Sequence, residues 1–113
     1  MGTDWALRMS LITSFIAKPG KEDELAKALQ DLIAPVRKEP GCLHLSIYQD
    51  GGDRRRFFAV ETFADQRALD SHRTMSYAKE FGEVIAPRLV ASQSVTHCNE
   101  LPETTRSNSQ AGA

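Results

Sequence analysis

Leu25, Ala28, Leu29, Leu32, Ile33 and Val36 recur at intervals of three and four, the spacing that lines one face of an α-helix. No other feature constrains the fold as strongly, because a stripe this regular must lie against a second apolar layer. Glu22, Asp23 and Glu24 sit where the first turn falls, and Arg37 and Lys38 where the last does. Both placements suit the helix dipole. Pro35 lacks a backbone donor, so a kink or a loosened final turn is expected there. Lys18-Pro19-Gly20-Lys21 before the helix and Glu39-Pro40-Gly41 after it are turn signals that mark its ends.

The second layer is supplied by strands. Residues 7–17 carry no Gly or Pro and are rich in strand formers. Residues 42–49 alternate, with Leu43, Leu45 and Ile47 on one side and Cys42, His44, Ser46 and Tyr48 on the other. Asp50-Gly51-Gly52-Asp53 reads as a hairpin turn, and residues 57–63 as the returning strand. Two helical pieces follow. Asp65 can cap the first, setting Ala68, Leu69 and His72 on one face. The second carries Tyr77, Phe81, Val84 and Ile85 and is expected to end at Pro87. A last strand spans about residues 89–99.

The order β-α-β-β-α-β predicts an α+β, ferredoxin-like antiparallel sheet with helices on one face. The 113 residues suit one domain, placed over residues 1–101. From residue 102 the composition turns polar and small, and residues 102–113 read as a disordered tail. Helices that cover one face leave the other open. Whichever alternate set faces outward (Leu43, Leu45 and Ile47, or Phe57, Phe63 and Tyr48), it is apolar, so a homodimer that buries it is expected.

Fourteen basic and fifteen acidic residues nearly cancel, which gives no electrostatic reason to expect a nucleic-acid or membrane partner. No apolar run is long enough to span a bilayer, and the first residues lack the pattern of a secretory signal. A cytoplasmic location is the expectation. Cys42 and Cys98 stand far apart and read as buried, reduced thiols. No His, Asp, Glu or Cys pair shares a face with a third partner, so no metal site is expected.

Four segments carry a resemblance: residues 15–25, opening Phe15-Ile16-Ala17-Lys18-Pro19-Gly20; Glu39-Pro40-Gly41-Cys42-Leu43; residues 57–65; and Ala68-Leu69-Asp70-Ser71-His72. In this order and separation they resemble the antibiotic-biosynthesis-monooxygenase family over about residues 9–100. The resemblance implies a dimeric α+β barrel with a pocket between each sheet and its helices. It implies cofactor-free quinol or polyketide-phenol oxidation, haem degradation, or isomerisation of a phosphorylated signalling molecule. It also places the family's recurrent helical histidine at His72 and a recurrent glutamate at Glu61. The chain departs from the pattern at Tyr77, where many relatives carry a second histidine. It departs from the haem-degrading branch too, with Phe81-Gly82 at the ligand place, His72 at the Trp place and no Asn in residues 7–17.

Three residues are expected to be catalytic. His72, aimed at the sheet beside Ala68 and Leu69, could shuttle a proton; the competing structural reading is a packed histidine bonded to a strand or loop. Glu61 aligns with Phe57, Ala59 and Phe63, where burial would raise its pKa; the competing reading is a structural ion pair with an arginine, or a backbone-bonded glutamate at the dimer interface. Tyr77 could donate to substrate, with Phe81 four residues on completing an aromatic wall, or both could be core. Phe81, Phe63 and Leu69 are the expected substrate contacts. His44, Tyr48 and His97 read as surface or interface residues, and Arg54-Arg55-Arg56 as a solvated charge run.

The reading is a cofactor-independent monooxygenase that oxidises a small hydroquinone or polyketide-like phenol with dioxygen. The alternatives are an isomerase of a phosphorylated hydroxy-ketone, with Arg73, Arg54 and Lys79 as phosphate-site candidates, or a non-catalytic dimer that binds a small aromatic molecule.

Overall fold

The structure is a computed structural model and describes residues 8–104. Four strands form one sheet: β1 (Met9–Ala17), β2 (Cys42–Asp50), β3 (Asp53–Phe63) and β4 (Val90–Cys98), in the spatial order β2-β3-β1-β4. All neighbours are antiparallel. Between β1 and β2 lies α1 (Glu22–Arg37); between β3 and β4 lie α2 (Gln66–Arg73), α3 (Ser76–Glu80), a π-helical turn (Phe81–Ile85) and α4 (Ala86–Leu89). This is the expected ferredoxin-like α+β arrangement.

Local chemistry accounts for the boundaries. Pro19 and Gly20 occupy the centre of a turn closed by Lys21 N–H donating to the Lys18 carbonyl, and Gly20 takes a φ of 80° that a side chain would resist. The stripe of α1 buries Leu25, Leu29 and Val36. Pro35 leaves the helix unbroken, but the exit tightens: Lys38 and Glu39 donate to Pro35 and Val36, three residues back. The Asp65 carboxylate caps α2 by accepting from the Ala68 N–H at 2.8 Å, as expected.

The second helical segment departs from expectation. It passes Pro87 and runs to Leu89. Proline cannot donate to the carbonyl four residues back, and the chain absorbs the defect by widening: the Ala86 N–H donates to Phe81, five residues back. Val84, expected to pack, is exposed.

On the covered face, Leu11, Thr13, Phe15 and Ala17 of β1 meet Phe57, Ala59, Glu61 and Phe63 of β3. One cluster is built on Phe15, Leu25, Leu29, Phe57 and Phe81; a smaller one holds Leu11, Phe63 and Leu69. The alternation of β2 is interrupted. A register shift between Cys42 and His44 sets Cys42 opposite Phe63 and packs it against the smaller cluster, on the covered side rather than the side expected; Leu43 is left exposed.

Neither set expected on the open face lies there whole, although Tyr48 does. Leu45, Phe57 and Phe63 are buried and Ile47 packs against the core, all under the helices. The open face instead carries Ile12, Ile16, Tyr48, Phe58 and Val60 among Ser10, Ser14, Ser46 and Ser94. Ile12 is 42% exposed and Tyr48 54%. The polar tail expected from residue 102 lies, from residue 105 onward, outside the described residues. Among the described residues no helix is long and apolar enough to cross a membrane.

Candidate active site

A cavity of about 290 Å³ opens between the sheet and the helical layer. Its apolar wall comes from α1 (Leu29, Leu32, Val36), the sheet (Phe15, Leu45, Ile47) and Phe81 of the π-helical turn. Polar groups enter from few places: Thr13 and Glu61 from the sheet, Gln93 from β4, and His72 and Arg73 from α2. An apolar container with a few convergent polar groups is the ordinary form of a small-molecule site.

Glu61 reaches it because β3 alternation sets its side chain on the covered face, in register with Leu11 and Leu45. Desolvation pushes its carboxyl pKa up; the charge of His72 acts against this and that of Glu39 with it. Among the described residues Glu61 makes no side-chain hydrogen bond. Among the described residues no arginine pairs with it, so that arm of its competing reading is not seen.

His72 comes from the face of α2 that also buries Leu69. Its ring lies 5.0 Å from the Phe63 ring, tilted by 35°. Its Nδ1 is 2.9 Å from Glu39 Oε2 and 3.2 Å from Oε1. The same Oε2 accepts from the Tyr77 hydroxyl at 2.5 Å, within the range of a charge-assisted bond. Glu39 is 8% exposed, and the two donors offset the cost of burying a carboxylate. The Tyr77 hydroxyl is pushed up to about 12, by burial and then by the hydrogen bond and charge of Glu39.

Of the expected residues, the fold brings His72, Glu61, Leu69 and Phe81 to one cavity. Tyr77 and Phe81 do not form one wall. Tyr77 turns to Glu39 and lines a separate groove on the outer side of α1 with Glu24, Lys27 and Arg88. Phe63 is wholly buried beside His72 rather than lining the cavity. His44 and Tyr48 lie on the open face; His97 pairs with Leu11 and so faces the cavity side, exposed. The arginine run is not a free charge run: Arg54 pairs with Asp23 and Glu22, Arg55 donates to the Ala17 carbonyl, and Arg56 lies over the Phe58 ring. Of the phosphate-site candidates, only Arg73 lines the cavity. Among the described residues no three His, Cys, Asp or Glu side chains gather as a metal site would require.

Glu39 is the site residue that sequence reasoning missed, read only as part of a helix stop. A signal existed. A carboxylate just past a helix C-terminus faces the negative end of the dipole and needs a compensating partner.

A one-sided helical layer on a four-stranded antiparallel sheet, with a cavity held between them, defines a ferredoxin-like α+β protein. The family profile of antibiotic biosynthesis monooxygenase matches residues 8–84, more than half of the chain, and the chain belongs to that family. An uncharacterised protein of Synechocystis, sll1783, is 34% identical over 87 residues; the match takes in 77% of this chain and 58% of that relative's length. Among solved structures, PA3566 of Pseudomonas aeruginosa is 28% identical with a TM-score of 0.81, over 87% of this chain and 98% of that one. SO0527 of Shewanella oneidensis is 29% identical with a TM-score of 0.82, over 84% and 92%. A structure described as an antibiotic biosynthesis monooxygenase shares the fold at 23% identity and a TM-score of 0.75, over 83% and 99%.

Proposed function

We propose that this protein is a cofactor-independent monooxygenase that oxidises a small hydroquinone or polyketide-like phenol with dioxygen. One observation carries the reading: Glu61 and His72 reach the same, otherwise apolar cavity. An electron-rich phenol can reduce dioxygen once it is deprotonated, so the substrate supplies the electrons. The protein then supplies a base, a donor for the developing oxyanion and a largely apolar cavity to hold the ring. His72 takes the phenolic proton. Glu61, whose pKa desolvation raises, donates from its protonated form to a substrate oxygen. For a hydroquinone the products are a hydroxyquinone and water: the O–O bond breaks, one oxygen joins a ring carbon, and the other leaves with two substrate hydrogens.

The test is oxygen uptake with a panel of hydroquinones in chelator-treated buffer. Turnover is expected, lowered roughly 10²- to 10⁴-fold by His72→Ala. No uptake above the uncatalysed background across the panel overturns the reading. Binding without turnover in both proteins would favour the non-catalytic aromatic-binding dimer. The phosphorylated-ketone alternative has less support, since among the described residues Arg73 is the one Lys or Arg lining the cavity and Arg54 is engaged with Glu22 and Asp23.

The protein works as a homodimer through the open sheet face. Ile12 and Tyr48 are exposed there among serines small enough to let a second sheet approach. Sedimentation should give a dimer and Ile12→Glu a monomer; a wild-type monomer at micromolar concentration would overturn this. The two free thiols suit a reducing, cytoplasmic setting.

A further inference from the structure

The Glu39-Pro40-Gly41 turn does more than end α1. We infer that Glu39 is a positioning residue for His72: its carboxylate, anchored by Tyr77, holds the imidazole with its hydrogen on Nδ1 and leaves the Nε2 lone pair to the cavity. The inference rests on the reading of His72 as the base, and it names what makes that base competent.

Hydrogen-bond inventory fixes the directions. A carboxylate only accepts, and both Glu39 oxygens lie within 3.2 Å of His72 Nδ1, so Nδ1 is the donor. In a neutral imidazole the other nitrogen is then the acceptor, as a base must be. Tyr77 bonds the same carboxylate and must also donate. With its hydroxyl held near 12, it remains a donor at any working pH. The Phe63 ring beside the imidazole limits its rotation.

The placement of Glu39 is set by backbone packing. A Cβ added at Gly41 would collide with the Ala68 methyl on α2, so the turn seats against the helix one turn before His72. The Ala64 N–H donates to the Gly41 carbonyl at 2.8 Å and pins the turn to the end of β3. Glycine at 41 thus brings a carboxylate on one segment to a histidine on another, while α3 delivers Tyr77 to the same oxygen. A buried carboxylate reached by donors from two other elements is over-determined. An exposed pair of the same length would not be.

Other titratable or charged groups near this cluster are Arg37 on α1, Arg73 on α2, Cys42 on β2 and Glu61 on β3. None of them bonds the imidazole in this structure. Tautomer selection therefore falls to Glu39.

Long-range ¹H–¹⁵N NMR of the three histidine rings reads the tautomer without substrate. Wild-type His72, when neutral, should carry its hydrogen on Nδ1. Glu39→Gln, whose amide can present either an acceptor or a donor, should populate both tautomers. It should also lower kcat roughly 10²-fold while KM changes less than about twofold, in line with the loss of other orienting partners. Gly41→Ala, with Glu39 still in place, should give the same spectral change. Hydrogen on Nε2 in the wild-type protein overturns the inference, whether or not the variants fold. So does a tautomer that is unchanged in Glu39→Gln. If the tautomer is as expected but no hydroquinone turns over, the positioning role stands and the oxygenase reading falls; turnover with the wrong tautomer gives the reverse.

Discussion

Two glutamates address one histidine, and their surroundings differ. Glu39, on the turn after α1, accepts from His72 and from Tyr77 and is almost wholly buried. Glu61, on β3, shares the cavity with His72, and among the described residues no side chain donates to it. The first has its charge satisfied by two donors. The second is pushed up in pKa by desolvation. Identical side chains thereby acquire opposite uses. The partnered carboxylate is a fixed acceptor for two donors, and in the proposed mechanism the unpartnered one is the acid that meets the ligand. What separates them is the number of donors within reach, since both face the same imidazole.

The largest expected effect lies on the partnered side. Glu39→Ala removes the acceptor of two part-buried donors and leaves a void, so unfolding in urea should show a loss of about 1–3 kcal/mol, the range for leaving a buried donor unsatisfied. Glu61→Gln at pH 7 should show no loss. A Glu39→Ala cost below about 1 kcal/mol would break the comparison, because the two carboxylates would then contribute alike. A cost in the expected range together with normal folding of Glu61→Gln would sharpen it.

Much of this frame is legible in the sequence because it rests on local rules. The spacing of Leu25, Leu29 and Val36 gives α1, and alternation in β3 puts Glu61 on the covered face. The Asp65 cap sets the phase of α2 and thus the direction of His72. What escaped depends on contacts between distant segments or on breaks in periodicity. Cys42 changes sides because β2 slips register beside Leu43, which no alternation count reveals. Tyr77 and Phe81 part company across a change from α- to π-helical bonding, forced by Pro87 ahead of them. Glu39 meets His72 across 33 residues because Gly41 lets two backbones close up, a fact held by packing and not by either local pattern.

The smaller effect is a pH dependence, and its sign separates the two carboxylates. The Glu61 pKa in the folded chain lies above the ordinary 4.5. Between that value and the folded pKa, the folded state holds more protons than the unfolded one, so stability falls as pH rises through this window and then levels off. Below 4.5 both states are protonated and no penalty remains. Glu61→Gln removes the titration, so the melting temperature of the variant should exceed that of wild type at pH 8. The difference should shrink as pH falls and close near pH 4. Activity should fall in the same variant if the carboxyl donates to a developing oxyanion and an amide is the weaker acid. A variant less stable than wild type at pH 8 would mean that Glu61 is held as a carboxylate by donors after all, and the contrast with Glu39 would disappear.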